Sequence, residues 1–163
     1  MLISCALMWH KKFLESELLF KVCQGCFSSC LSLLRREGVI NTWDSQNTTA
    51  AGLTRDIEKL IDSSQIVLIL MSTSFLASDD LYKNQMMRAI NRQLSGEVVR
   101  VIPITVRYIA PGNSSIVPFQ KIQGLPRNGK PIEKWQSTDE AWSEVAKEIR
   151  QVCEDLQKST GKH

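Results

Sequence analysis

The hexapeptide Ile66-Val-Leu-Ile-Leu-Met71 contains no polar residue at either alternate set of positions. A strand with one wet face alternates apolar and polar side chains. A strand without alternation needs cover on both faces, as in the middle of a parallel sheet. That demand requires amphipathic helices on either side, and the flanking sequence supplies them. Thr54–Asp62 puts Ile57, Leu60 and Ile61 on one side, and Ser78 to about Leu94 aligns Tyr82, Met86, Ala89, Ile90 and Gln93. Asp139–Gln157 turns Ala141, Trp142, Val145, Ile149, Val152 and Leu156 inward. Lys11 to about Val22 also reads as amphipathic helix, weakened at Gly25 before an apolar stripe resumes to Arg36. Gly38 is placed for a left-handed cap at the end of that stripe.

Further strands are expected over Leu2–Leu7, Val39–Trp43, Val98–Val106 and Ile132–Trp135, with Pro103 marking a strand end or irregularity. The order β-α-β-α-β-α-β-β-α implies an α/β fold: a doubly wound, mostly parallel sheet of about five strands with helices on both faces. A chain of 163 residues suits one domain burying about 70% of its extended-state surface. That domain is expected over residues 1–157, with 1–30 its divergent part. Residues 158–163 are expected to form a polar, disordered tail.

Composition narrows the function. The formal charge of +3 comes from 20 basic and 17 acidic residues spread along the chain, and no basic run exceeds two. Nucleic-acid binding would require clustering on one face, so none is expected. The apolar start Met1–Trp9 is short and is followed by His10-Lys-Lys, which puts positive charge on the wrong side for a signal peptide. No stretch reaches the ~20 apolar residues needed to span a bilayer, and a cytoplasmic location without membrane contact is the simplest expectation. Cys23, Cys26 and Cys30, with His10 upstream, invite a metal reading. The same region makes one apolar helical stripe at 23, 26, 27, 30, 31 and 34, in which cysteine acts as a small hydrophobe. No second CxxC or His pair completes a zinc set, so no metal site is expected.

Several separate segments, in order, resemble the prokaryotic-type TIR (Toll/interleukin-1 receptor) domains. They are Leu31–Asp44, Ile66–Ser78, Val101–Arg107, Pro118–Pro126, Gly129–Trp135 and Asp139–Trp142. The resemblance implies a flavodoxin-like fold and association with other TIR domains or with itself. In many members of the family it also implies cleavage of the nicotinamide–ribose bond of NAD⁺, here a substrate or ligand rather than a required cofactor. The family's catalytic residue is a glutamate on the helix after the third strand, just before an apolar residue. Gln85-Met86 matches that place, and no Asp or Glu occurs from Leu81 through Gly96.

The exchange has a chemical meaning. A carboxylate stabilises the positive charge that develops as a glycosidic bond breaks. An amide hydrogen-bonds but carries no charge. The resemblance therefore implies a module acting by association, with weak or no NAD⁺ hydrolase activity. The ligand cleft would be lined by Ser78, Leu81 and Tyr82 around Gln85. Ser4 and Asp44, near predicted strand ends, would line it too, and Trp9 or Trp43 would stack on a nucleobase. The alternative is an active NAD⁺ nucleosidase using another acid, for which Asp79 and Asp80 are nearest. Their position at a helix start also explains them as partners of the helix dipole. By residue type alone, Gln85 reads as an exposed helix glutamine.

Overall fold

The computed structural model describes residues 3–8, 17–44, 53–77, 80–112 and 118–161. Four strands form one parallel sheet: β1 (Ile3–Met8), β2 (Ile40–Asp44), β3 (Ile66–Met71) and β4 (Arg100–Thr105), in the order β2-β1-β3-β4. The helices are α1 (Glu17–Arg36), α2 (Leu53–Ser63), the single turn α3 (Thr73–Leu76), α4 (Asp80–Leu94) and α5 (Thr138–Thr160). Among the described residues no helix is long and apolar enough to cross a membrane.

The unbroken apolar run in β3 does what its composition requires. Ile66 and Leu68 join Phe27, Leu31 and Leu34 of α1 and Trp142, Val145 and Ile149 of α5 in one core. Val67, Ile69 and Met71 point the other way, into a second core with Ile61 of α2 and Met86, Ala89 and Ile90 of α4. Successive strand residues face opposite sides, so six consecutive apolar residues build two cores at once.

The expected sheet of about five strands, with its flavodoxin-like architecture, is corrected: the described sheet has four. Ile132–Lys134 is a 3-10 turn, and only Ile132 in it is buried. Pro103 explains the edge. Its carbonyl accepts the Leu125 N–H at 2.8 Å, and the Thr105 N–H donates to the Leu125 carbonyl at 2.9 Å. The nitrogen and carbonyl of one strand residue face the same neighbour, so Pro103 offers no donor on that side. A lone parallel bridge, Ile104 to Leu125, forms there in place of a strand. Further down the same edge, Gln93 Oε1 accepts the Val101 N–H.

Other boundaries move less. Gly25 lies inside α1 rather than interrupting it, while Lys11–Ser16 and Met1–Leu2 lie outside the described residues. Gly38 ends α1 with φ of 69°. The Val39 N–H reaches the Leu34 carbonyl and the Gly38 N–H reaches the Arg35 carbonyl, the paired bonds of a Schellman cap. In the expected tail, Lys158–Thr160 continue α5, and 162–163 lie outside the described residues.

Candidate functional site

The chain leaves β3 at Met71 and enters β4 at Arg100, which is paired with Ile66 at the far end of the ladder. The α4 helix therefore runs back from the C-terminal edge of the sheet toward its N-terminal edge. Gln93 fixes its height, because its side chain bonds Val101 near the start of β4. About 12 Å of helix separates Gln93 from Gln85, and about 13 Å of strand separates Val101 from Thr105. Gln85 thus stands level with Thr105 and its ladder partner Met71. This is the C-terminal edge, where open parallel sheets hold their ligands.

Gln85 is not an exposed helix residue. It is 3% exposed, and neither its amide nitrogen nor its amide oxygen has a hydrogen-bond partner. Each unmet buried polar group costs about 1–3 kcal/mol, and native proteins keep few of them. Two other described side chains share the condition, Ser64 through its hydroxyl and Trp142 through its indole N–H. Gln85 alone leaves a donor and an acceptor unmatched on one planar group. Ser72, the residue after β3, is also buried, but it is used locally: its hydroxyl accepts the Phe75 N–H at 3.1 Å and caps α3. Among the residues whose burial is described, no Asp, Glu, Lys, Arg or His is buried.

The other predicted site residues fall into three groups. Trp9, Ser78 and Asp79 lie outside the described residues. Leu81 and Tyr82 sit in the opening turn of α4, with Asp80 at its first position. Ser4, Trp43 and Asp44 are separated by the strand register. Ser4 pairs with Asn41, whereas Asp44 ends β2 beside Leu7, so Ser4 stands about 10 Å nearer the N-terminal edge. Asp44 lies two strands from β3, about 10 Å across the sheet. The register therefore brings Gln85, Leu81 and Tyr82 to the end of the sheet that carries Met71, and it does not bring Ser4 there.

Sequence reasoning missed the ties that hold this end of the sheet. Thr73 Oγ1 donates to the Tyr108 carbonyl at 3.2 Å, and the Tyr108 N–H donates to Glu133 Oε1 at 2.7 Å. The Glu133 N–H donates to the Val106 carbonyl, and the Val106 N–H to that of Met71. The short α3 turn, the extension of β4 and the 3-10 turn are thereby locked together. Gln93 was visible as a polar residue on the apolar face of α4, a pattern that signals an inward hydrogen bond.

The outer side of α4 forms an open polar groove with Asn84, Met87, Arg88 and Asn91 along it. Its cations are already engaged. Arg88 forks onto Asp62 through two bonds of 2.7 and 2.6 Å and holds that carboxyl below its ordinary range. Arg92 pairs with Glu97 at 2.6 Å and also donates to the Ile61 carbonyl closing α2. No group of three or more His, Cys, Asp or Glu side chains that could hold a metal occurs among the described residues. In the stripe once considered for metal, Phe27, Leu31 and Leu34 are core residues. There, Cys26 Sγ donates to Asp139 Oδ1 at 2.6 Å, and Cys30 Sγ donates to the Trp142 carbonyl at 3.6 Å.

No protein-family model matches the chain. A stretch of 124 residues, 76% of the chain, is 42% identical to the uncharacterized protein y4lF of Sinorhizobium fredii (strain NBRC 101917 / NGR234). That stretch spans 37% of the relative's length, so the relative is much longer than the region they share.

Proposed function

We propose that the chain is a TIR-type association module with weak or no NAD⁺ nucleosidase activity. One observation carries the reading. On the helix that follows β3, level with the sheet's C-terminal edge, Gln85 is buried with both amide atoms unmet, at the position that the resemblance equates with the family's catalytic glutamate. An amide preserves the shape of that position and some of its hydrogen bonding. It supplies no negative charge for a developing oxocarbenium ion, and losing one electrostatic stabiliser commonly costs about 10²–10³ in rate. Association with other TIR domains or with itself then remains as the mode of action.

Purified protein is incubated with NAD⁺ and nicotinamide release is followed by chromatography, beside the Gln85→Glu variant. The expected result is no release by the native chain and measurable release by the variant. Ordinary turnover by the native chain overturns the reading and points to another acid. Light scattering at rising concentration tests the association arm, and a chain that stays monomeric across the range, alone and with other TIR domains, removes it.

A further inference from the structure

Of the six asparagines, only Asn128 is followed by glycine. The side-chain carbonyl carbon of an asparagine can be attacked by the next residue's amide nitrogen, and a Cβ on that residue obstructs the approach. Gly129 has none, and outside its chain neighbours no atom lies within 4 Å of where one would stand. Asn41 lies in β2, and Asn84 and Asn91 lie in α4, where the ladder or the helix fixes the backbone away from a closed ring. Asn47 and Asn113 lie outside the described residues. Asn128 and Gly129 are exposed, in the turn between the Leu125 bridge and the 3-10 turn at Ile132.

Hydrogen bonds hold that turn. The Gly129 N–H donates to the Pro126 carbonyl at 3.0 Å, and the Lys130 N–H donates to Asn128 Oδ1 at 3.0 Å. The second keeps the side chain folded over its own backbone, as asparagine does in turns, and draws electrons from the carbon to be attacked. The first occupies the attacking N–H and must break before a ring closes. A pair of turn bonds is a small barrier beside a helix, which must open cooperatively over several residues.

We propose that Asn128 is a site of spontaneous covalent modification, deamidating through a succinimide formed with Gly129. The Gly129 nitrogen bonds to Cγ of Asn128 and gives its proton to solvent, while the Cγ–Nδ2 bond breaks and ammonia leaves. Water then opens the ring at either carbonyl, restoring the N–H and leaving a carboxylate as aspartate or isoaspartate. No oxidant or cofactor takes part. The product puts a negative charge between Arg127, paired with Glu148 at 2.5 Å, and Lys130, whose ammonium lies 5.8 Å from the Trp135 ring centre. In its isoaspartyl form it also adds one carbon to the main chain between Leu125 and Glu133, residues that tie this loop to β4 and to its extension.

The intact protein is held at mildly alkaline pH, and timed samples are digested under acid and mapped by mass spectrometry. Isoaspartyl methyltransferase with labelled S-adenosylmethionine marks the isoaspartyl product. Conversion is expected at residue 128 ahead of Asn41, Asn84 and Asn91. Its rate is expected to be on the order of tenfold below that of the same chain in guanidinium chloride, where both turn bonds are gone. Asn128→Gln, which would have to close a larger ring and leaves Gly129 in place, is expected to lose the signal while circular dichroism stays native. Conversion at Asn84 or Asn91 as fast as at Asn128 overturns the inference. So does methyl label that persists in Asn128→Gln, or a native residue 128 that stays unconverted while the unfolded chain passes through many half-lives. None of these readouts depends on Gln85, NAD⁺ turnover or assembly.

Discussion

Gln85 works against the stability of the domain that holds it. Apolar neighbours on the same helix, Met86, Ala89 and Ile90, are buried in a close-packed core, whereas the Gln85 amide is desolvated with nothing in return. Replacing it by methionine keeps the volume and removes both unmet groups. Gln85→Met is therefore expected to raise the unfolding free energy by about 1–3 kcal/mol, read from urea denaturation. That is opposite in sign to most core substitutions. Gln85→Glu behaves differently, because burial raises the carboxyl's folded pKa above the unfolded value of about 4.3. The folded state then holds its proton more tightly. Stability is greatest below the unfolded pKa, falls as pH rises through the raised folded value, and levels off beyond it. Denaturation midpoints across that range would show the fall in this variant and not in the native chain. An identical pH profile in the two would mean that position 85 is hydrated.

At the scale of elements, the outer edge of β4 decides how wide the sheet becomes. Gln93 occupies one donor, Pro103 removes the next, and the Leu125 bridge takes the third. The bridge needs a close approach at Gly124, where an added Cβ would stand 3.2 Å from the Pro103 carbonyl oxygen. That oxygen is backbone, fixed by its bond to Leu125, and cannot swing aside as a side-chain tip would. Gly124→Ala is expected to destabilise the domain by about 1–3 kcal/mol, read from chemical denaturation. Hydrogen exchange at Leu125 and Thr105 should rise with it. Much of this architecture was legible beforehand: β3 from its unbroken apolar run, the end of α1 from Gly38, and α5 from its stripe. The fifth strand was not, since Ile132-Glu-Lys-Trp135 is too short for periodicity to separate a strand from a turn. At the outer edge of β4, where Pro103 offers no donor, the neighbour is Leu125 rather than Ile132–Trp135. The α3 turn was hidden because Ser72-Thr-Ser reads as loop, and only the bond from the Phe75 N–H to its hydroxyl shows Ser72 to be a cap. The burial of Gln85 was not readable, because a polar residue type argues for exposure.

Across the whole molecule, the two cores share a sheet but differ in chemistry. The core under α1 and α5 contains two buried thiols, Cys5 on β1 and Cys153 on α5, and the core under α2 and α4 contains none among the described residues. Burial pushes both thiols up, with the Cys153 thiolate adding to the effect at Cys5 and Cys153 itself raised to about 11. In the unfolded chain both return toward the ordinary thiol value of 9.0. The sign follows directly. Where the folded state keeps a proton that the unfolded state releases, the unfolded state gains from rising pH. The contribution of these thiols to stability is full below about pH 9 and is lost as pH climbs through about 11. Melting temperatures measured from pH 8 to 11 should therefore fall, and the fall should be shallower in Cys153→Ala, whatever that substitution costs in packing at neutral pH. The slope rather than the starting value is the diagnostic, since a cavity lowers stability equally at every pH whereas a missing thiol removes a titration. A Cys153→Ala profile parallel to the native one would show that this thiol already meets water in the folded protein, and the seam between β1 and α5 would then be open.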